Sequence, residues 1–144
     1  GLITFLVFNF GWLTGISTVI APNAIALGFG SYLFYVQHNF PGVTYQEKEG
    51  WTYIGAAFNS TSLLRMSRVM QWFTANIGYH HVHHVNARIP FYRLVEAYDA
   101  FPEFQNPKST TMGLRDVLAC MRLKVWDPKL QKMLTMKELR AYSN

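Results

Sequence analysis

The first 46 residues contain no Asp, Glu, Lys or Arg, and the first charged side chain is Glu47. A charge-free apolar run of this length is typical of segments that cross a lipid bilayer, each of which needs about 20 residues as a helix. We therefore predict that residues 1–40 form transmembrane helical segments and that residues 41–144 lie on the aqueous side. The whole net charge of +5 falls in this second part. By the positive-inside tendency, we expect it on the cytoplasmic side of the membrane.

The apolar run contains one proline, which affects how many times it crosses. Residues 1 to about 20 are long enough for one span, and residues 24 to about 36 give a predicted second span. Ala21, Pro22 and Asn23 form the predicted break between them, because proline lacks the N–H donor that a helix interior needs. The alternative is a single long span kinked at Pro22. Both alternatives predict an all-α fold, with integral membrane helices followed by a helical region outside the bilayer.

On the aqueous side, apolar side chains recur at steps of three and four, which is the period of an α-helix. The repeat consists of Leu63, Met66, Met70, Phe73 and Ile77. It continues to His80 and His84, so we predict one helix whose apolar face leads into a histidine face. Residues 59–62 supply its N-cap candidates, and Gly78 is a point where it can be interrupted. Further helices are predicted near residues 92–98, 111–126 and 135–142.

Four of the five histidines lie together at positions 80, 81, 83 and 84. On a helix His80, His83 and His84 leave one face, because they are related as i, i+3 and i+4. Neutral imidazole is the commonest protein ligand for zinc, copper and iron, so this face predicts a metal site. His81 points about 100° away from His80 on the same helix. The alternatives are a surface histidine cluster or a remnant purification tag, but the cluster is internal and includes the apolar Val82.

The residues around this cluster resemble a known family. Residues 76–92 read Asn-Ile-Gly-Tyr-His-His-Val-His-His-Val-Asn-Ala-Arg-Ile-Pro-Phe-Tyr. This stretch is similar to the third histidine box, His-x-x-His-His, of the membrane fatty acid desaturases in their acyl-lipid, methyl-end branch. The related front-end desaturases usually have Gln where this chain has His80. Residues 34–40, Phe-Tyr-Val-Gln-His-Asn-Phe, also resemble a stretch that acyl-lipid desaturases carry between their second and third boxes.

The resemblance implies a set of metal ligands. His80, His83 and His84 would bind non-haem iron, and His81 would support a ligand without binding the metal itself. His38, at the end of the apolar run, is either an interfacial histidine bonded to water or headgroups or, as the resemblance implies, a further iron ligand. No catalytic residue beyond these ligands is assigned. Family members carry two more histidine boxes, so we expect this chain to be the C-terminal part of a larger enzyme and inactive by itself.

The resemblance also implies a reaction and its partners. Two irons per complete enzyme would use dioxygen to place a cis double bond in the acyl chain of a membrane lipid. Electrons would come from a ferredoxin or a small haem cytochrome that docks on the aqueous face. Related di-iron proteins hydroxylate or ketolate lipids, and this remains an alternative.

A second alternative is a membrane metal-binding module without redox chemistry. Transporters place their ligands at mid-membrane, whereas this cluster follows the charged segment. No His-Glu-x-x-His pattern of zinc proteases and no Glu-x-x-His pattern of soluble di-iron bundles is present. The basic residues are scattered and carry no nucleic-acid-binding motif, so a nucleic-acid partner is not expected. The single Cys120 excludes an internal disulfide.

Overall fold

The computed structural model describes residues 1–142, which divide into two compact units, Gly1–Tyr35 and the chain from Val36 onward. The described chain is mostly helical. The α-helices are α1 (Leu2–Phe10), α2 (Trp12–Gly15), α3 (Ala21–His38), α4 (Tyr53–Asn59), α5 (Arg68–Phe73), α6 (His80–Val85), α7 (Leu94–Ala100), α8 (Leu114–Arg122) and α9 (Met136–Tyr142). The strands are β1 (Leu63–Arg65), β2 (Ser109–Thr111), β3 (Leu123–Asp127) and β4 (Lys132–Thr135). A π-helical turn covers Ile16–Ile20, and 3-10 turns cover Ile77–Tyr79, Phe91–Arg93 and Pro102–Phe104.

The chain reverses at Gly11 between α1 and α2. Gly11 has a φ of 86°, a left-handed conformation that glycine adopts without steric cost. The two helices then pack closely, because a Cβ at Gly15 would lie 2.7 Å from Cγ2 of Val7. With nine residues, α1 is about 13 Å long and too short to cross a bilayer core of about 30 Å.

One helix among residues 1–142, Trp12–His38, is long and apolar enough to cross a membrane. The helix continues through Ala21, Pro22 and Asn23, so the predicted break there is wrong. A single crossing of a membrane by Trp12–His38 stays a prediction. The π-helical turn directly before Pro22 changes the hydrogen-bond pattern where the proline removes a donor. Polar side chains also bond to carbonyls four residues earlier, since Thr18 Oγ1 donates to Thr14 and Asn23 Nδ2 donates to Val19.

The second unit contains short strands, so the predicted all-α fold is confirmed in its coarse form only, as a mostly helical chain. β1 pairs in parallel with β2 from Leu63 opposite Ser109 to Arg65 opposite Thr111. β3 and β4 form an antiparallel hairpin with an irregular register between Leu123 and Val125. The predicted helix near residues 111–126 accordingly ends at Arg122. The helices predicted near residues 92–98 and 135–142 are present as α7 and α9.

The single helix predicted from Leu63 into the histidine cluster is also wrong. Leu63 and Leu64 are both buried, which suits a strand covered on both sides. Helix α5 starts only at Arg68, where the Ser67 side chain caps the amide of Met70. The chain leaves this helix through left-handed residues Ala75 and Asn76, which end α-helical geometry before α6 begins.

A hydrophobic core lies against α6. It is built on Val82, Leu94 and Phe104, which are at most 7% exposed. Partly buried side chains pack around these three, namely Phe58, Tyr79, Val85, Ile89, Ala97 and Tyr98. The ring of Phe104 stacks on Phe58 with centroids 5.7 Å apart. This core fixes the helix that carries the histidine cluster.

Replacing Phe104 by Ala should destabilise this unit, because the lost ring leaves a cavity that its neighbours cannot fill. We expect a cost of about 3–5 kcal/mol in the free energy of unfolding, as is usual for truncating a buried aromatic ring. Phe91→Ala is the matched control, since that ring is 56% exposed. Unfolding of the detergent-purified protein, followed by circular dichroism, checks this. Equal losses for the two variants would contradict the assigned core.

Candidate metal centre

Three imidazole nitrogens converge at one point of the second unit. Nε2 of His80 lies 3.0 Å from Nε2 of His38 and 3.1 Å from Nε2 of His84. The ligand atoms of the three histidines all lie within 4.8 Å of one another. Nitrogens bound to one ion at about 2.1 Å are about 3.0 Å apart when they subtend a right angle. Nε2 of His80 therefore has the spacing of a metal ligand to both of its neighbours.

A hydrogen-bonded chain of imidazoles explains this geometry less well. A ring nitrogen offers either one hydrogen or one lone pair, yet Nε2 of His80 has two nitrogen neighbours at hydrogen-bond distance. It can satisfy at most one of them through a direct hydrogen bond. A cation shared by all three nitrogens satisfies each lone pair at once. The residues present thus fit a bound metal ion.

His38 enters the group as the last residue of α3. Its Nδ1 lies 3.2 Å from the carbonyl oxygen of Ser60, and because a carbonyl only accepts, Nδ1 must carry the hydrogen. The tautomer is then fixed with the lone pair on Nε2, the atom that faces His80. A backbone carbonyl on the second ring nitrogen is the usual arrangement of metal-binding histidines.

Gln37 connects the end of α3 to the segment that precedes α6. Its side chain is fully buried, and Nε2 donates to the carbonyl of Ile77 at 2.7 Å. The backbone carbonyl of Gln37 accepts a hydrogen bond from the backbone amide of Ser62. No role for Gln37 was predicted from the sequence. A polar amide beside the histidine, inside a charge-free apolar run, was the signal that could have identified it.

His80 and His84 come from one turn of α6 and form edge-to-face ring contacts with each other and with His38. His83 lies outside the three-nitrogen group. Its ring stacks beside His80 with centroids 5.7 Å apart. The structure therefore brings three of the four predicted ligands together, and iron binding by His83 stays a prediction.

His81 points into the aromatic core. Its ring is fully buried among Tyr98, Phe104 and Phe58, with centroid distances of 5.7, 5.9 and 6.4 Å. Within the described residues, the polar group beside its ring nitrogens is the backbone of Phe104, and neither nitrogen bonds to another side chain. Any support that His81 gives to the ligands therefore passes through packing of α6, and no hydrogen bond joins it to the group.

Burial keeps these imidazoles neutral. Desolvation, reinforced by the neighbouring histidines, lowers the pKa of His80 to about 3. Burial also lowers the pKa of His81 to about 4 and lowers that of His84. At neutral pH these rings are uncharged, and a neutral imidazole offers a nitrogen lone pair to a metal ion. No carboxylate of the described residues belongs to the group.

The fold and the site together describe an apolar helix of bilayer length that ends in a candidate three-histidine metal site. A family model described as Fatty acid desaturase matches residues 1–114, which is more than half of the chain. The chain belongs to the fatty acid desaturase family.

Two curated relatives support the same family. A protein named Fatty acid desaturase from Bacillus subtilis (strain 168) is 30% identical over 131 residues, covering 91% of this chain and 37% of the relative. A protein named sn-1 acyl-lipid omega-3 desaturase (ferredoxin) from Nostoc sp. (strain 36) is 26% identical over 100 residues, covering 69% of this chain and 27% of the relative. The chain thus spans about a third of the length of these relatives. No solved structure gives a significant match.

Replacing His84 by Phe should remove one of three ligands, so we expect metal affinity to fall by more than the 10–100-fold typical of losing a supporting contact. His81→Phe is the matched control, because its ring sits in an aromatic pocket and offers no nitrogen to the group. Titration of the purified full-length protein with Co²⁺, followed by visible absorption, measures both. Equal losses in the two variants would show that the three-nitrogen group does not hold the metal.

Gly78→Ala should displace the histidine segment. A Cβ there would lie 2.6 Å from the backbone oxygen of Leu64 and 2.6 Å from Nε2 of Gln71, and the backbone atom cannot move aside cheaply. We expect about a 10–100-fold loss of Co²⁺ affinity, the usual effect of disturbing the support of a metal ligand. Gly50→Ala meets nothing within 4 Å and should bind Co²⁺ normally. Unchanged affinity in Gly78→Ala would contradict the packing assigned to this segment.

Proposed function

We propose that this chain works as part of an oxygen-dependent fatty acid desaturase that introduces a cis double bond into the acyl chain of a membrane lipid. The observation that carries the proposal is the convergence of the Nε2 atoms of His38, His80 and His84 in a member of the fatty acid desaturase family. Imidazole suits iron as well as zinc and copper, and the family favours iron.

His38, His80 and His84 would hold one iron. His83 is assigned to a second iron, because its ring lies beside His80 but outside the three-nitrogen group. The remaining ligands of a pair would come from residues outside this sequence, and the chain by itself is expected to be inactive. Iron held there would supply activation of dioxygen, the oxidant that removal of two hydrogens from adjacent methylenes requires.

The protein's own groups prepare this site in three ways. The Ser60 carbonyl fixes the tautomer of His38, and the Gln37 amide holds the end of α3 against the segment before α6. The aromatic rings around His81 pack the opposite side of α6, which limits its rotation. Because the ligands are neutral, none of them cancels the charge of the cation, and its full electrostatic effect acts on whatever else binds there.

The substrate and partners follow from the relatives and from the charge distribution. The name of the Nostoc relative states an acyl-lipid substrate and a ferredoxin, so we assign membrane lipid acyl chains as substrate. A ferredoxin or a small haem cytochrome would be the electron donor. We place the protein in the membrane through Trp12–His38, with the basic remainder and the histidine box on the cytoplasmic side.

Metal content and acyl products, measured together, test the proposal. The full-length protein would be expressed in a host with a simple fatty acid profile, with His83→Ala, His84→Ala and the loop control Lys48→Ala in parallel. We expect a pair of irons per chain and a new unsaturated acyl chain in the wild type and in the control. Both histidine variants should lose the product, and His83→Ala should keep one of the irons.

Other results would assign the protein elsewhere. Iron with an oxygenated lipid instead of an alkene would favour a di-iron hydroxylase or ketolase. Zinc, or no metal and no change in the lipids, would exclude the di-iron proposal and favour a non-redox membrane metal-binding module. Retention of the product in both histidine variants would contradict the ligand assignment, even in a protein that desaturates.

A further inference from the structure

Helix α8 leaves an apolar stripe uncovered. Leu114, Leu118 and Met121 recur at steps of four and three, so they share one side of the helix. They are 73%, 44% and 47% exposed. The helix packs through another side, on which Cys120 is fully buried. A helix that is docked on one side and apolar on an exposed side has a surface that a partner can cover.

Two basic side chains flank one edge of this stripe. Arg115 and Arg122 lie about 40–120° around the helix from Leu114, Leu118 and Met121, and both are exposed. Residues 115–142 carry seven basic and three acidic side chains, and so hold four of the five net positive charges of the chain. The family match ends at residue 114, so this basic segment lies beyond the part that defines the family.

The three acidic side chains of the segment are already bonded to nearby amides, hydroxyls or, in one case, a lysine. Asp116 accepts from the amide and hydroxyl of Thr111. Asp127 accepts from the amides of residues 129 and 130. Glu138 accepts from the amide and hydroxyl of Thr135 and pairs with Lys132. Among the described residues, the other six basic side chains of the segment have no ion pair.

We propose that α8 and the basic residues of 115–142 form a docking surface for an anionic membrane leaflet. Burial of this surface against a protein that offers no matching carboxylates would take unpaired cations out of water at high cost. Anionic headgroups neutralise them and leave the apolar stripe at the acyl boundary, which suits a side that is both basic and apolar. The same chain carries an apolar helix of bilayer length, so the surface is tethered near a bilayer and even a weak contact is occupied. The proposal does not depend on the reaction proposed above.

A spin label at position 118 tests this in the full-length protein. Leu118→Cys would be labelled in nanodiscs of phosphatidylglycerol and of phosphatidylcholine, and its exposure to dissolved oxygen and to a water-soluble nickel chelate measured. Glu103→Cys, an exposed acidic position, is the control site. Unsubstituted protein labelled in parallel gives the background; burial raises the pKa of the Cys120 thiol to about 11, so it should react slowly.

We expect the label at 118 to gain oxygen contact and lose nickel contact only in the anionic discs. In Arg115→Gln/Arg122→Gln the ratio of inserted to exposed label should fall about fivefold per arginine. Arg65→Gln/Arg68→Gln removes the same charge from exposed positions elsewhere and should leave the ratio unchanged.

Equal nickel contact in both lipids would overturn the proposal. Loss of nickel contact that is the same in both lipids, or that occurs only when an acidic electron carrier is added, would overturn the proposal in favour of a protein partner.

Discussion

One buried contact, the hydrogen bond from the Gln37 side chain to the carbonyl of Ile77, ties the end of α3 directly to the segment that precedes α6. His38 and His80 belong to helices that are far apart in sequence, and their imidazoles meet only because α3 ends against the segment that begins α6. Gln37 is fully buried, so an unmade bond would leave a carbonyl without water or partner, at a cost of about 1–3 kcal/mol. The amide thereby couples folding of this region to the alignment of its ligands.

The sequence predicted the local half of the site but not its surroundings. Helical spacing correctly places His80 and His84 on one face of α6, because i and i+4 neighbours meet within a single turn. The helix predicted from the apolar repeat at residues 63–77 is wrong, because helical spacing of apolar residues does not exclude a buried strand. Pairing of Leu63 with Ser109 is a long-range contact that no local pattern reveals. His38 was identifiable only by resemblance, since a histidine at the end of an apolar run has several ordinary roles.

Pro22 shows how a sound local rule can be overridden. Proline does remove a helix donor, and a break there was the expected consequence. In this chain a π-helical turn precedes the proline, and threonine and asparagine side chains bond to nearby carbonyls. These bonds matter most in lipid, where water cannot satisfy a free carbonyl. The chain turns instead at Gly11, whose left-handed backbone costs nothing because no Cβ is present.

The position of His38 links the fold to the proposed chemistry. It is the last residue of an apolar helix of bilayer length, and the first charged residue follows nine positions later. An acyl chain remains in the bilayer, whereas a ferredoxin remains in water. A metal site that must meet both is best placed where an apolar segment gives way to a polar one. A ligand on the final turn of such a helix would fix the proposed site at that boundary, and a basic surface further along the chain would hold the aqueous part against the same leaflet.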